Sequence, residues 1–409
     1  MKHIIFSVIV VLMLAGSALA QRSKRADGNA AQKATGPQDY RSKNFLVHTD
    51  LAKEEAEALL KKLENMLTII SKYWARPNKK VIEVFVVKNI KSWPNGSIDP
   101  RALGHIVQGG GLTLTRTTIS QSVVTGTQID GNAVAYAVAE RGTPLHEAVH
   151  AYCGINFGTT GPVWYSEGMA EMGAYWNEQD SSVSIDPVVM KYLQNSEPKA
   201  FREIVRTDQM TGDSWQNYAW RWALCHLLAY NPNYSKRFRP LGLDLLTNHR
   251  SSFRSVYGSM AEELEFEYRQ FLDHIEQGYR VDLCSWDWKT KFRAPSSRSR
   301  VIAKVNAKQG WQPSRLLVKE GITYAYTATG KWRLDKMSDP LEADGLEADG
   351  SGKLVGVIFH DYKLSEPFDL GKAGTFEANS DGKLFVRCRE GWGKIGDNSG
   401  SVKVIFSKE

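Results

Sequence analysis

The sequence predicts an α+β protein in which a small sheet with a mostly helical region is followed by an antiparallel β-sandwich. Three observations carry this prediction. Apolar residues recur at three and four between Lys53 and Trp74 (Ala56, Leu59, Leu60, Leu63, Met66, Leu67, Ile70), which is the period of a helix with one buried face. Short β-branched runs flank it, Phe45–His48 before and Val81–Val87 after, and a further short run, Leu112–Thr115, follows three glycines. After residue 300 the runs become uniformly short and alternate with Gly, Asp and Asn turns, the signature of a small sandwich.

Taken in order, residues 1–20 carry Lys2 and His3, then an apolar run to Leu14 and the small residues Ala18-Leu19-Ala20. That is the layout of a cleaved export signal, and the run is too short to span a bilayer comfortably. Residues 21–40 are polar, small and aperiodic, as in a disordered leader. No later segment is long and apolar enough to cross a membrane, so the protein is expected to be exported, periplasmic or extracellular, with no integral membrane segment once the signal is removed. A first folded domain is expected over 41–293, and the linker composition of 294–300 separates it from a sandwich over 300–409. Within the first domain, Trp215–Ala229 is apolar on more than one face and Met260–Gly278 is patterned for burial, so both are expected as helices. In the second, strands are expected at Arg315–Val318, Ile322–Thr327, Leu354–Phe359, Leu384–Arg387 and Val402–Phe406.

The net charge of +7 is spread rather than clustered, and with an export signal it points away from nucleic acid. The four cysteines, Cys153, Cys225, Cys284 and Cys388, have no C-x-x-C spacing, so a cysteine zinc site or redox motif is not indicated. In an exported protein they can pair in three ways, or Cys153 and Cys225 can be buried thiols in apolar helices.

The most specific signal is His146-Glu147-Ala148-Val149-His150. Residues four apart share a helix face, so the two imidazoles can converge on one metal ion while Glu147 reaches water beside it. Such a pentapeptide arises by chance in about 1% of chains of this length, so it needs support. Support comes seventeen residues after His150, where Glu167 can supply the carboxylate that two histidines leave zinc short of. Glu171, one turn further on, is placed to accept the outer N–H of a ligand histidine. The plainer alternative is that both glutamates face solvent at i, i+4 spacing.

His-Glu-x-x-His followed by Trp164-Tyr165-Ser166-Glu167-Gly168-Met169-Ala170-Glu171 resembles the gluzincin clan of metallopeptidases, which includes thermolysin-like enzymes and zinc aminopeptidases. The layout over residues 41–290 is also similar to the uncharacterised bacterial families grouped as peptidase MA-like. The resemblance implies a gluzincin-like fold, a peptide or protein substrate, and Zn²⁺ held by His146, His150 and Glu167 with Glu147 as catalytic base. It also implies that Tyr218, which opens the Tyr218–Ala223 segment where the aminopeptidases carry Tyr-x-Lys-Gly-Ala, is the oxyanion donor, with His226 as an alternative donor. The Lys-Gly is not kept. The aminopeptidases anchor a free N-terminus with a glutamate before the zinc helix, whereas Gly109–Thr113 contains no acidic residue, so an endopeptidase is expected.

The segment Glu390–Ser401 is rich in oxygen ligands and glycines and resembles the closing strand region of the calcium-dependent galactophilic bacterial lectins. That resemblance implies Ca²⁺ ligands at Glu390, Asp397 and Asn398, with the Lys394 carbonyl, and a carbohydrate partner. The family's histidine-containing sugar loop has no counterpart here. The alternative to the whole reading is a non-catalytic exported protein that binds zinc or carbohydrate on a peptidase fold.

Overall fold

The computed structural model describes residues 36–122, 126–140, 142–177, 180–206, 214–247, 250–296 and 299–409. The export signal and residues 21–35 lie outside these. Part of the stretch expected as a leader is ordered differently: Gln38–Arg41 is a strand, β1, paired antiparallel with β2 (Phe45–Thr49).

Helix α1 (Lys53–Trp74) follows, and of its periodic residues Ala56, Leu60, Leu63, Met66, Leu67 and Ile70 are buried while Leu59 is half-buried. After it come β3 (Ile82–Val87), α2 (Pro100–Val107), β4 (Gly111–Ser122) and β5 (Gly126–Val138). The sheet order is β1-β2-β3-β5-β4, with β2, β3 and β5 mutually parallel and β4 antiparallel to β5 at the edge. The sequence shows β4 only as Leu112–Thr115 and does not show β5. On β5 the inward positions are Ala133, Ala135 and Ala137, all buried but poor strand formers, so the pattern lacks the usual β-branched signature. Helix α3 (Thr143–Phe157) then packs on this sheet, and α4 (Val163–Ala174) packs on α3.

The remaining helices are α5 (Pro187–Asn195), α6 (Phe201–Ile204), α7 (Trp215–Tyr230), α8 (Ser235–Thr247), α9 (Phe253–Tyr257) and α10 (Ala261–Asp273). The strands after them are β6 (Val301–Asn306), β7 (Gln312–Val318), β8 (Thr323–Arg333), β9 (Leu354–His360), β10 (Lys363–Leu364), β11 (Phe368–Asp369), β12 (Ala373–Glu377), β13 (Gly382–Cys388) and β14 (Ser399–Lys408). They form two sheets, β10-β9-β13-β7 with β11 beside β9, and β12-β8-β14-β6, all antiparallel.

The chain divides into two compact units, but not at the 294–300 linker. One unit runs to Trp176 and adds Lys199–His226 and Arg237–Val256; the other holds Asn177–Pro198, Leu227–Lys236 and Tyr257–Glu409. The physical reason lies in β9, which is buried on both faces. Leu354 and Ile358 point into the core between the sheets, while Val355, Val357 and Phe359 point the other way against Phe266 of α10, Trp286 and Trp311. A strand that is apolar on both sides needs a second cover, and residues before the linker supply it.

Within that cover, Glu267 is buried and accepts five hydrogen bonds of 2.7–2.9 Å, from Asn231, Asn233, Tyr234, the Trp286 backbone and the Trp288 indole. The four cysteines are free, so no disulfide joins these elements. Among the described residues, no helix is long and apolar enough to cross a membrane.

Candidate metal centre

Helix α3 is buried along its whole length from Pro144 to Phe157, so it has no polar face to reveal its orientation. Its position is fixed by close contacts, and two glycines permit the closest. A Cβ at Gly111 on β4 would stand 2.6 Å from the Glu147 side chain, and one at Gly168 on α4 would stand 2.4 Å from Cys225 Sγ and 2.8 Å from the Arg221 carbonyl. Gly168 therefore lets α4 lie against α7 and points its neighbour Glu167 at α3.

The outcome is a triangle of donor atoms. His146 Nε2 and His150 Nε2 are 3.1 Å apart, and Glu167 Oε2 lies 3.3 Å from the first and 3.4 Å from the second. A tetrahedral ion with donor bonds of about 2.0–2.1 Å needs neighbouring donors roughly 3.3 Å apart. The three side chains are 2–5% exposed, and Glu167 Oε2 has no hydrogen-bond partner. A buried carboxylate oxygen left without a hydrogen, aimed with two imidazole nitrogens at one point, fits a divalent cation. Among the described residues this is the one group of three such ligands.

The outer nitrogens are held as well. Glu171 Oε1 lies 2.9 Å from His146 Nδ1, the contact expected of it, and Ser166 Oγ lies 3.3 Å from His150 Nδ1. Thr113 on the edge strand reaches Glu147, its hydroxyl 2.7 Å from Oε2 and 2.9 Å from the Glu147 carbonyl. Ser166 and Thr113 escape a reading of the sequence, since hydroxyl residues are common and only the tertiary fold brings these two to the site. Their signal is slight: Thr113 lies in the Leu112–Thr115 run and Ser166 in the Trp164–Glu171 segment, with nothing to set either apart.

Electrostatics favours a cation here. Burial alone would raise the Glu167 carboxyl, yet the His150 and His146 imidazoles pull it down to about 2. Burial alone would lower His146, but Glu167 and Glu171 outweigh it and hold the imidazole well above its ordinary value. Burial raises Glu147 above the usual carboxylate range despite the two histidines and Thr113. Three carboxylates around two imidazoles favour positive charge at the donor triangle. Removing the carboxylate that holds His146 Nδ1, with Glu171→Ala, is expected to weaken zinc affinity about 10–100-fold. Competition against a chromophoric chelator measures this, and an unchanged affinity would mean that Glu171 does not support the ligand.

Tyr218, near the start of α7, is buried beside the site with its ring 5.9 Å from that of His146. His226 packs instead against Trp222, ring centroids 5.0 Å apart, and is not part of the ligand group. In the other unit, Glu390 follows β13, and Asp397 and Asn398 close a short 3₁₀ turn before β14. Glu390 Oε2 and Asn398 Oδ1 are both buried without a hydrogen-bond partner, while Asn398 Nδ2 donates to the Ala307 carbonyl at 3.1 Å. Burial raises the Glu390 carboxyl; Asn398 opposes that and Asp397 adds to it, so the three side chains are electrostatic neighbours.

No family model matches this sequence, and no curated protein does. Among solved structures, the N-terminal domain of EclA, a PllA-like lectin, is similar over 26% of this chain and 95% of that one, at 19% identity and a TM-score of 0.23. A likeness at that score carries no argument for fold or ligand.

Proposed function

We propose that the chain is an exported zinc metallopeptidase of gluzincin type, acting on internal peptide bonds. The observation that carries the reading is the donor triangle of His146, His150 and Glu167 with the Glu147 carboxylate on the same helix. When bound, zinc would supply a Lewis acid for the scissile carbonyl and make water a better acid.

The chain's own residues do the rest. Glu147 takes a proton from the water that attacks the carbonyl carbon, and passes it to the amide nitrogen as the C–N bond breaks. The Thr113 hydroxyl holds the Glu147 carboxylate in place for both transfers. Tyr218 donates its phenol hydrogen to the developing oxyanion. Strand β4 is an edge, so its free backbone groups can take an extended peptide as an added strand. The absence of an acidic residue in Gly109–Thr113 leaves a substrate N-terminus without an anchor and favours internal cleavage.

In the second unit, the orphaned oxygens of Glu390 and Asn398, with Asp397 beside them, support a calcium site and through it a carbohydrate-binding role. A second reading of the first unit draws on burial. Glu147 is only 1% exposed and its three neighbours little more, as in a metal site that stabilises without turning over. Zinc-loaded protein incubated with a panel of denatured proteins separates the two. Chelator-sensitive internal cleavage, read by mass spectrometry, is the expected result, and intact substrates across the panel would favour the structural role.

A further inference from the structure

The orphaned oxygens of the second unit stand at the two ends of one turn, Glu390 Oε2 at its start and Asn398 Oδ1 at its close. Residues 391–396 separate Glu390 from Asp397, so a cation shared by the two ends needs that span held in one shape.

What holds it lies largely before the sandwich in the chain. The Trp392 indole stacks on the His274 ring just past α10, with centroids 4.4 Å apart and planes 14° from parallel, and the Arg387 guanidinium stands 3.7 Å from its centroid. Arg387 is buried, and it donates to the Cys388 carbonyl at 3.0 Å and to the Glu390 carbonyl, which ties the end of β13 to the start of the turn. Gly393 docks by its backbone. Its N–H donates to the Glu276 carboxylate, and a Cβ on it would stand 2.0 Å from the Gln277 carbonyl. From the other side, a Cβ on Gly278 would stand 2.4 Å from the Gly393 carbonyl, so each segment brings a glycine to the contact. The 274–279 segment is anchored in turn. Gly278 N–H donates to the Val183 carbonyl and Val183 N–H to the Tyr279 carbonyl, both at 2.8 Å, while the Gln277 amide bonds to both backbone groups of Ile185. All these residues belong to the second unit.

We infer that Trp392 and Gly393, held by His274 and Glu276, are positioning residues for the cation site, so that a segment outside the sandwich sets its calcium affinity. The inference rests on the calcium reading of Glu390, Asp397 and Asn398. Docking on 274–279 fixes the turn before the ion arrives, and such preorganisation lowers the ordering cost of binding. A turn released from that segment has to be ordered by the ion itself, and affinity falls.

The test compares alanine variants of the full chain by calorimetric titration with calcium. Gly393→Ala drives a methyl into the Gln277 carbonyl and is expected to weaken calcium binding about tenfold or more, the effect of losing an outer support of a metal site. Gly391→Ala, in the same turn, brings its methyl no closer than 3.4 Å to a neighbouring group and is expected to bind calcium as the wild type does. His274→Ala adds no clash and removes only the stack on Trp392, so it is expected to weaken binding as Gly393→Ala does. Hydrogen exchange in excess EDTA reads the docking without any metal: faster exchange across 390–398 in Gly393→Ala and His274→Ala, with β13 and β14 unchanged, is expected and separates undocking from misfolding. No saturable calcium binding by the wild type would overturn the calcium reading and this inference together. Wild-type affinity in both Gly393→Ala and His274→Ala, or equal losses in Gly391→Ala and Gly393→Ala, would overturn this inference alone.

Discussion

Glu147→Gln is expected to keep one zinc per chain while lowering kcat by about 10²–10⁴-fold on any substrate the wild type cleaves, the range for loss of a general base. The amide is nearly the size of the carboxylate, so the packing against Gly111, where a Cβ would stand 2.6 Å from the side chain, survives. The Thr113 hydroxyl can still donate to the amide oxygen over the 2.7 Å it now spans. What is lost is the capacity to take a proton. Glu147 contributes no ligand to the donor triangle, so metal content measured by mass spectrometry should not change. A variant that loses zinc and activity together would make Glu147 a structural neighbour of the metal rather than the base.

The largest effect on stability is expected at Glu267. Replacement by Leu removes the acceptor of five buried or half-buried hydrogen bonds at once, from Asn231, Asn233, Tyr234, Trp286 and Trp288. Each donor stranded away from water costs about 1–3 kcal/mol, and relaxation recovers some of it, so a loss of about 4 kcal/mol or more is expected. Urea denaturation followed by tryptophan fluorescence measures it. A shift below about 1 kcal/mol would show that solvent reaches these donors and that Glu267 does not hold the cover of β9 together.

Much of this architecture is visible in the residues, and the misses have physical causes. Helix α1 announces itself because one face is buried and the other is wet. Helix α3 does not, being buried all round, and only its paired histidines betray it. Strand β5 hides behind Ala133, Ala135 and Ala137, whose small side chains suit a close-packed helix better than they signal a strand. The boundary between the units is misplaced for a different reason. Composition along the chain marks a linker at 294–300, but three separated stretches before it fold with the sandwich, and no local pattern reports such a pairing. At the site, helical spacing pairs His146 with His150 and Glu167 with Glu171, because within one helix it converts sequence distance into direction, but it does not say that the two helices meet. Thr113 and Ser166 reach the site through strand placement and a helix crossing, which spacing does not encode.

Anomalous diffraction at the zinc edge, from crystals of protein grown with that metal, bears most directly on the donor triangle. One strong peak is expected, in contact with His146 Nε2, His150 Nε2 and Glu167 Oε2. Protein that carries no peak there, or carries its zinc on other residues, would contradict the account.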